Sequence, residues 1–181
     1  TLYYPDSQSI KENKSTNALL LRSDNPLNLY DILSGAIVKS APNAFLMLAN
    51  SVLGSNKKSM KLIKELAFKL ELPESSANNI TGRRISNKNQ EITLEILFKV
   101  GKILFKKMPF IQDLLSQTKF VYDNSIYRNK TNLFHYGIIT HGIFYGQNDS
   151  IGIVLSSING KKNISVVIGA KGVYHRDALL Y

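Results

Sequence analysis

The spacing of apolar residues predicts a series of helices in the first part of the chain. A helical pattern begins at Leu29, and Gly35 is expected to interrupt it. A second helix is predicted from Pro42, a residue suited to a first helical turn, to a stop at Gly54. A third is predicted over about 58–70, where apolar residues recur at helical spacing.

The clearest helical pattern runs from Thr93, a suitable N-cap, to about Lys107, with Gly101 allowing a neighbour to approach closely. The apolar run at 18–21 fits a strand, and the Asn-, Gly- and Ser-rich segment 77–90 predicts a long loop. The predicted buried face of the Thr93 helix consists of Leu94, Leu97, Phe98, Leu104 and Phe105.

After Pro109 the pattern becomes typical of strands. Asn159-Gly160 is the strongest hairpin signal, because both residues accept positive φ, and residues 175–181 begin a last helix. The predicted strands are Lys119–Tyr122, Ser125–Arg128, Ile151–Leu155 and Ile164–Ile168. Helices followed by antiparallel strands indicate an α+β fold. With 181 residues, we expect a single domain over 1–181, helical over about 28–117 and a sheet over about 118–181.

Composition narrows the classes of function. The chain contains no Cys, which excludes disulfides and thiolate chemistry, and it has no apolar run long enough to span a bilayer. Its net charge is +10, but the basic residues are scattered along the sequence. Nucleic-acid binding usually needs a concentrated basic stripe, so we expect no nucleic-acid partner.

Motifs for metal or cofactor chemistry are missing from the sequence. His135, His141 and His175 have no metal-ligand spacing, and there is no glycine-rich phosphate loop, so no metal and no cofactor is predicted. Two S-x-x-K matches begin at Ser55 and Ser116. With 18 Ser and 18 Lys in the chain, about two matches are expected by chance.

The order of segments is more informative than any single motif. Residues 37–44 read IVKSAPNA and are followed by LAN at 48–50. This stretch resembles the I-x-S-G-N-D-A … L-A segment of the serine D-alanyl-D-alanine carboxypeptidases, the low-molecular-weight penicillin-binding proteins. Residues 93–105 are similar to that family's T-A-x-D-M-A-x-L-G-K-x-L helix, and ISVVIGA at 164–170 is similar to its I-S-V-V-L-G-A strand. The resemblance covers roughly residues 18–178.

The resemblance implies the fold of penicillin-binding proteins and serine β-lactamases, with its N-terminal part missing. The family acylates through S-x-x-K, S-x-N and K-T-G motifs, and the first lies farther upstream than the residues that precede Ser40. Ser40-Ala41-Pro42 takes the place of S-x-N, so Ser40 is the candidate catalytic residue, relaying a proton to the leaving amine. Pro42 has no amide side chain, and Asn43 is the candidate substitute for substrate binding.

K-T-G aligns best with Thr140-His141-Gly142, the remaining candidate substrate-binding residues, and leaves no Lys at its first position. The resemblance implies a serine-type D-Ala-D-Ala carboxypeptidase-like protein of peptidoglycan metabolism that is truncated or catalytically degenerate, so its enzymatic status stays open. The alternative is a non-catalytic peptidoglycan- or partner-binding module on the same scaffold. The implied partners are a peptidoglycan stem peptide and, in an active form, β-lactams. The implied location is the periplasm or cell envelope, and peripheral association with a membrane is compatible with it.

Overall fold

The computed structural model describes residues 1–15, 17–82, 92–131, 133–136, 140–145, 150–158 and 161–180. The chain forms two compact units. Unit 1 contains Thr1–Glu91 and Phe120–Tyr127, and unit 2 contains Ile92–Lys119 and Arg128–Tyr181. The chain therefore passes from unit 2 into unit 1 and back again through one short hairpin.

Unit 1 is mainly helical. Its elements are β1 (Leu2–Tyr3), α1 (Ser7–Lys11), β2 (Leu27–Asn28), α2 (Leu29–Ile37), α3 (Pro42–Met47), a π-helical turn (Leu48–Val52) and α4 (Asn56–Lys69), with 3-10 turns at Glu12–Lys14 and Glu74–Ser76. Strands β1 and β2 pair antiparallel. The core is built from buried aliphatic residues of α2, α3 and the 19–27 segment, including Leu19, Leu21, Leu27, Ile32 and Met47.

Helix starts in unit 1 follow ordinary capping chemistry. The side chain of Asn28 accepts from the Asp31 N–H at the start of α2, and that of Ser55 accepts from Lys58 N at the start of α4. Helix α3 begins with Pro42, as predicted, because proline has no N–H to leave unpaired in the first turn. Gly54 follows the π-helical turn with φ +91°, which agrees with the predicted stop.

The predicted interruption at Gly35 is wrong, since α2 runs through this residue. Gly35 is buried, and a Cβ placed there would overlap Leu19 Cδ1 and lie 3.2 Å from Ala44 Cβ. The glycine is explained by close packing against its neighbours. Local sequence cannot reveal such packing, and glycine read locally suggests a break.

The hairpin that links the two units consists of β3 (Lys119–Tyr122) and β4 (Ser125–Arg128), both predicted. Its two-residue turn is Asp123-Asn124, with φ of 48° and 56°. Both residues tolerate the left-handed region that such a turn needs. The Phe120 and Tyr127 rings stack with centroids 5.3 Å apart, which ties the two strands together within unit 1.

Unit 2 combines helices with an antiparallel sheet. Its elements are α5 (Leu94–Lys107), α6 (Pro109–Leu115), a 3-10 turn at Leu133–Tyr136, β5 (Thr140–Tyr145), β6 (Ile151–Ile158), β7 (Lys161–Val167) and α7 (Val173–Leu180). The strand order is β5-β6-β7, with Ile153 opposite both Ile143 and Val166. The strands predicted around 151 and 164 and the last helix are thereby confirmed, whereas Asn159-Gly160 lies outside the described residues.

Gly101 joins α5 to the sheet. A Cβ at this position would lie 3.2 Å from the Cγ2 atoms of both Ile153 and Ile164, so the predicted close approach is confirmed. Through this contact α5 packs within the unit that contains the sheet.

Two features of unit 2 and one of unit 1 differ from the sequence predictions. Thr93 caps α5 as predicted, yet Leu94 and Phe98 are about half exposed, whereas Leu97 is buried. Helix α6 was not predicted at all, although Pro109 begins it in the position that suits proline. In unit 1, the run at 18–21 does not form a strand.

Candidate functional site

Ser40 lies in unit 1, in the turn between α2 and α3. It has φ 55°, in the left-handed region that favours glycine, and it is partly buried. The next residue closes the turn, because Ala41 N–H donates to Gly35 C=O at 3.0 Å. A non-glycine residue held in this conformation is a strained position that the surrounding packing must maintain.

The residues after Ser40 start α3 without any side-chain cap. Ala41 is the N-cap and makes no side-chain hydrogen bond to the helix, and Pro42 takes the first helical position. Both are buried. The third position of the S-x-N-like triplet therefore presents a pyrrolidine ring and no hydrogen-bonding group.

Asn43 is fully buried, and its amide is engaged within the core of unit 1. Its Oδ1 accepts from Leu19 N–H at 3.0 Å, and its Nδ2 donates to Leu19 C=O at 2.7 Å. Nδ2 also donates to Asn13 Oδ1 at 2.9 Å. Both amide protons are thus used, and a substrate could reach neither without displacing these bonds.

Two further side chains complete the backbone hydrogen bonds of this segment. Asn13 accepts from Leu21 N–H at 3.3 Å and donates to Leu21 C=O at 2.7 Å, and Tyr127 Oη accepts from Leu20 N–H at 3.2 Å. Residues 19–21 alternate between buried and exposed like a strand, but side-chain amides take the place of a neighbouring strand. This explains why the predicted strand is absent from the hydrogen-bond pattern.

The role of Asn43 in substrate binding remains a prediction that this geometry does not favour. Its position is explained by the support it gives to Leu19. The sequence contained a weak signal for that support, since an Asn inside an apolar helix such as α3 needs a partner when buried.

Thr140, His141 and Gly142 lie in unit 2 as consecutive residues of β5. In the sheet register they stand opposite Ser156, Leu155 and Val154 of β6. Their side chains lie outside the described part of the structure, as does that of His135.

Both S-x-x-K matches are explained by helix ends. Ser55 is the N-cap of α4, with its Oγ accepting from Lys58 N–H at 3.2 Å. Ser116 is the C-cap of α6, and its Oγ donates to Asp113 C=O at 2.7 Å. Ser55 lies one turn before its lysine at the start of a helix, but its Oγ is engaged in capping that helix. Ser116 lies at the end of a helix, so its lysine does not follow it on one.

A buried ionic cluster in unit 2 was missed by sequence reasoning. Arg176 and Asp177 on α7 are 0% and 2% exposed, and the Arg176 Nε and Nη2 atoms each lie 2.9 Å from Asp177 Oδ1. Thr131 Oγ1 donates to Asp177 Oδ2 at 3.3 Å and accepts from Leu133 N–H at 3.1 Å. An adjacent Arg-Asp pair near a chain end normally indicates an exposed site, so nothing in the local sequence predicts this burial.

Asp6 is the most extensively hydrogen-bonded carboxylate described in unit 1. Burial by itself raises its pKa, but hydrogen bonds from Ser9, Asn50 and Gln8 outweigh that effect, and the pKa is lowered. The shortest of these bonds joins Ser9 Oγ to Asp6 Oδ2 at 2.6 Å. Asp6 caps α1 as a carboxylate, which is its favoured state at a helix N-terminus.

Within the described ranges, no group of three or more His, Cys, Asp or Glu residues is arranged to hold a metal ion. Over the same part of the chain, none of the helices has the length and apolar character needed to cross a bilayer. The predictions that the protein uses no metal and no cofactor remain predictions.

Comparison with known proteins decides the family. A model of the D-alanyl-D-alanine carboxypeptidase family matches residues 4–172, which is most of the chain. The chain belongs to this family. The resemblance drawn from the segments at 37–50 and 164–170 is thereby confirmed.

Solved structures agree on the fold. Penicillin-binding protein 5 from Haemophilus influenzae is similar over 98% of this chain and 53% of its own, with a TM-score of 0.87 and 15% identity. Penicillin-binding protein 6B from Escherichia coli is similar over 99% and 58%, with a TM-score of 0.85 and 16% identity. The predicted α+β, penicillin-binding-protein-like fold is confirmed.

A third relative is penicillin-binding protein D2 from Listeria monocytogenes in its cefotaxime-bound form, with a TM-score of 0.68, 19% identity and coverage of 95% of this chain and 77% of that one. No curated protein matches the chain by sequence. The chain spans a little over half the length of the first two structural relatives.

Proposed function

We propose that this D-alanyl-D-alanine carboxypeptidase-like protein acts in peptidoglycan metabolism in the bacterial cell envelope, in the periplasm or at the wall. The observation that carries the proposal is the family match over residues 4–172. Its partner is a peptidoglycan stem peptide ending in two D-alanines, and peripheral contact with a membrane is compatible with this location.

The proposed chemistry is acyl transfer, conditional on a segment bearing S-x-x-K ahead of these residues. The serine Oγ of that segment bonds to the carbonyl carbon of the penultimate D-alanine, and the bond to the terminal D-alanine nitrogen breaks. A proton reaches that nitrogen through Ser40. Water then hydrolyses the ester, and backbone N–H groups stabilise the oxyanion in both steps.

On the same condition, residues 140–142 would contact the substrate from their strand. His141 is the candidate for attracting the terminal carboxylate that the family's lysine attracts, since a protonated imidazole is a cation. Asn43 is not carried forward as a substrate contact, because its amide is committed to Leu19 and Asn13. β-Lactam binding is proposed for the acylating form only, and the cefotaxime-bound relative supports that class of ligand.

Labelling with a fluorescent penicillin tests the catalytic status of the chain. We expect the 181-residue chain to remain unlabelled, since both of its S-x-x-K serines serve as helix caps. A form extended by an S-x-x-K segment is expected to label and to release D-alanine from a D-Ala-D-Ala peptide. Covalent labelling of the 181-residue chain itself would contradict the proposal that it lacks an acylatable serine.

A second candidate function is a non-catalytic module that binds peptidoglycan or a partner protein. It is favoured by Pro42, which removes the amide of the S-x-N motif and is built into α3 as its first residue. Sedimentation with purified insoluble peptidoglycan tests this function: a module of this kind co-sediments and stays unlabelled by penicillin. Failure to co-sediment argues against it.

A further inference from the structure

A groove in unit 2 collects basic side chains from two distant parts of the sequence. It has a volume of about 240 Å³ and is lined by Lys102 and Lys106 of α5 and by Lys162 and Ile164 of β7. The three lysines are exposed. We call this feature the lysine groove.

The packing of α5 on the sheet creates the lysine groove. Lys102 and Lys106 are four residues apart, so they lie on the same side of the helix. Gly101, next to Lys102, allows the helix to approach Ile164 Cγ2 to the distance of a tight contact. Lysines on the helix therefore face a lysine on the strand across an aliphatic floor.

Most of the net positive charge of the chain lies in unit 2, the unit that contains the lysine groove. Unit 2 contains eleven Lys and Arg against four Asp and Glu, so it carries +7 of the net +10, although it is the smaller unit. Within the described residues, neither Lys102 nor Lys106 makes an ion pair. Lys106 and Lys162, which are far apart in the sequence, thus line one groove.

The shape of the lysine groove favours a chain over a flat surface. Cations stand on both walls, and Ile164 together with the lysine methylenes provides an apolar floor. Phosphates spaced along a flexible backbone can be neutralised from both sides, whereas the headgroups of a planar membrane meet only the rims. Among the described residues that line the groove none is aromatic, so these residues offer no platform on which nucleic-acid bases could stack.

We propose that the lysine groove binds a linear, base-free anionic polymer with phosphate in its backbone. Such binding does not depend on the acylation chemistry proposed above, because none of the groove residues belongs to the candidate catalytic or substrate-binding set. It provides a second attachment of the protein to an anionic layer.

Binding of the 181-residue chain to long-chain inorganic polyphosphate, measured by fluorescence anisotropy at several salt concentrations, tests the proposal. We expect Lys102→Gln/Lys106→Gln to weaken binding by roughly tenfold or more at low salt and to reduce the slope of log K against log salt by about 1.4. Lys102→Arg/Lys106→Arg should retain binding, because the charge is kept.

The matched control is Lys57→Gln/Lys61→Gln, which removes two exposed lysines with the same four-residue spacing from α4 in unit 1. Thermal unfolding of each variant verifies that it is folded. Equal weakening by the groove and control variants would attribute binding to net charge and overturn the proposal, and so would absence of binding to polyphosphate. Groove-dependent binding that is tighter to single-stranded DNA or to anionic vesicles at equal charge also overturns it, in favour of that partner.

Discussion

The two units bury polar groups in opposite ways. Unit 1 buries a neutral amide, Asn43, whose partners are backbone groups of Leu19 and the amide of Asn13. Unit 2 buries an ion pair, Arg176–Asp177, which connects α7 to Thr131. Asn43 supports the backbone of Leu19, whereas Asp177 accepts from the Thr131 hydroxyl.

The two kinds of buried group differ in the free-energy cost of losing a partner. A buried amide costs little once its bonds are made, and its loss leaves neutral backbone groups unpaired. A buried ion pair brings a large desolvation cost for each charge, so the loss of one partner leaves an uncompensated charge. Single substitutions at Asn43 and at the Arg176–Asp177 pair should therefore differ in their cost to the free energy of unfolding.

Arg176→Met is expected to be the most destabilising change. It leaves the Asp177 carboxylate buried without its cation, at a cost of about 3 to 5 kcal/mol in the free energy of unfolding. Urea denaturation followed by circular dichroism measures this cost. The double variant Arg176→Met/Asp177→Leu should recover much of the loss, and a double variant as unstable as the single one would contradict the ionic explanation.

Asn43→Leu is expected to cost about 3 kcal/mol, because the N–H and C=O of Leu19 lose their partners in the core. The same denaturation experiment applies, and unit 1 should lose the most protection from hydrogen exchange around residues 19–21. Asn163→Leu is the control, since Asn163 is exposed and donates only to a nearby carbonyl. Equal stability of the two variants would contradict the inference that Asn43 supports the backbone of residues 19–21.

Gly35→Ala and Gly101→Ala compare helix packing in the two units. A methyl group at Gly35 overlaps Leu19 Cδ1, whereas one at Gly101 makes two contacts of 3.2 Å. We expect losses of about 2 to 3 kcal/mol at Gly35 and about 1 kcal/mol at Gly101, after allowing for the better helix propensity of alanine. Melting temperatures of the two variants test whether Gly35→Ala is the more destabilising change. A larger loss for Gly101→Ala would contradict the prediction.

The smallest expected effect concerns pH. The pKa of Asp6 is lowered in the folded protein, so its contribution to stability is present above the unfolded value of about 3.9 and is lost as pH falls through the folded value. At neutral pH, Asp6→Asn should cost about 0.5 kcal/mol, because the site is only partly buried and asparagine still caps α1.

The difference between wild type and Asp6→Asn should shrink as the pH falls below about 4. Thermal unfolding of both proteins at several pH values measures it. A difference that grows toward acid pH would have the wrong sign for a carboxylate with a lowered pKa.

Much of the secondary structure could be predicted because its causes are local. Thr93 at the start of α5, Pro42 at the start of α3 and the strands near 119 and 151 all follow from capping or periodicity within a few residues. Two of the failures share one cause. Gly35 and the 18–21 run were misinterpreted because their partners, Leu19 for the first and Asn43 for the second, are distant along the chain.

In the candidate site too, the positions of residues could be predicted from motif order, whereas their burial could not. Ser40 and residues 140–142 were found through motif order, which the family match supports, but their roles in catalysis remain proposals. The burial of Asn43 could not be foreseen from its position one place after Pro42. Whether an asparagine faces solvent or a core depends on which segment packs against its helix.

The order of motifs along the chain indicated the family, and short-range pattern indicated the α+β class and most of the helices and strands, because caps, turns and apolar periodicity act between neighbours in the chain. Folding in three dimensions decided which polar groups are buried and where charge collects. Lys106 and Lys162 are far apart in sequence and line the same groove only because Gly101 brings α5 against β7. Contacts of this kind depend on the shapes of two surfaces that meet, and no single stretch of sequence encodes both.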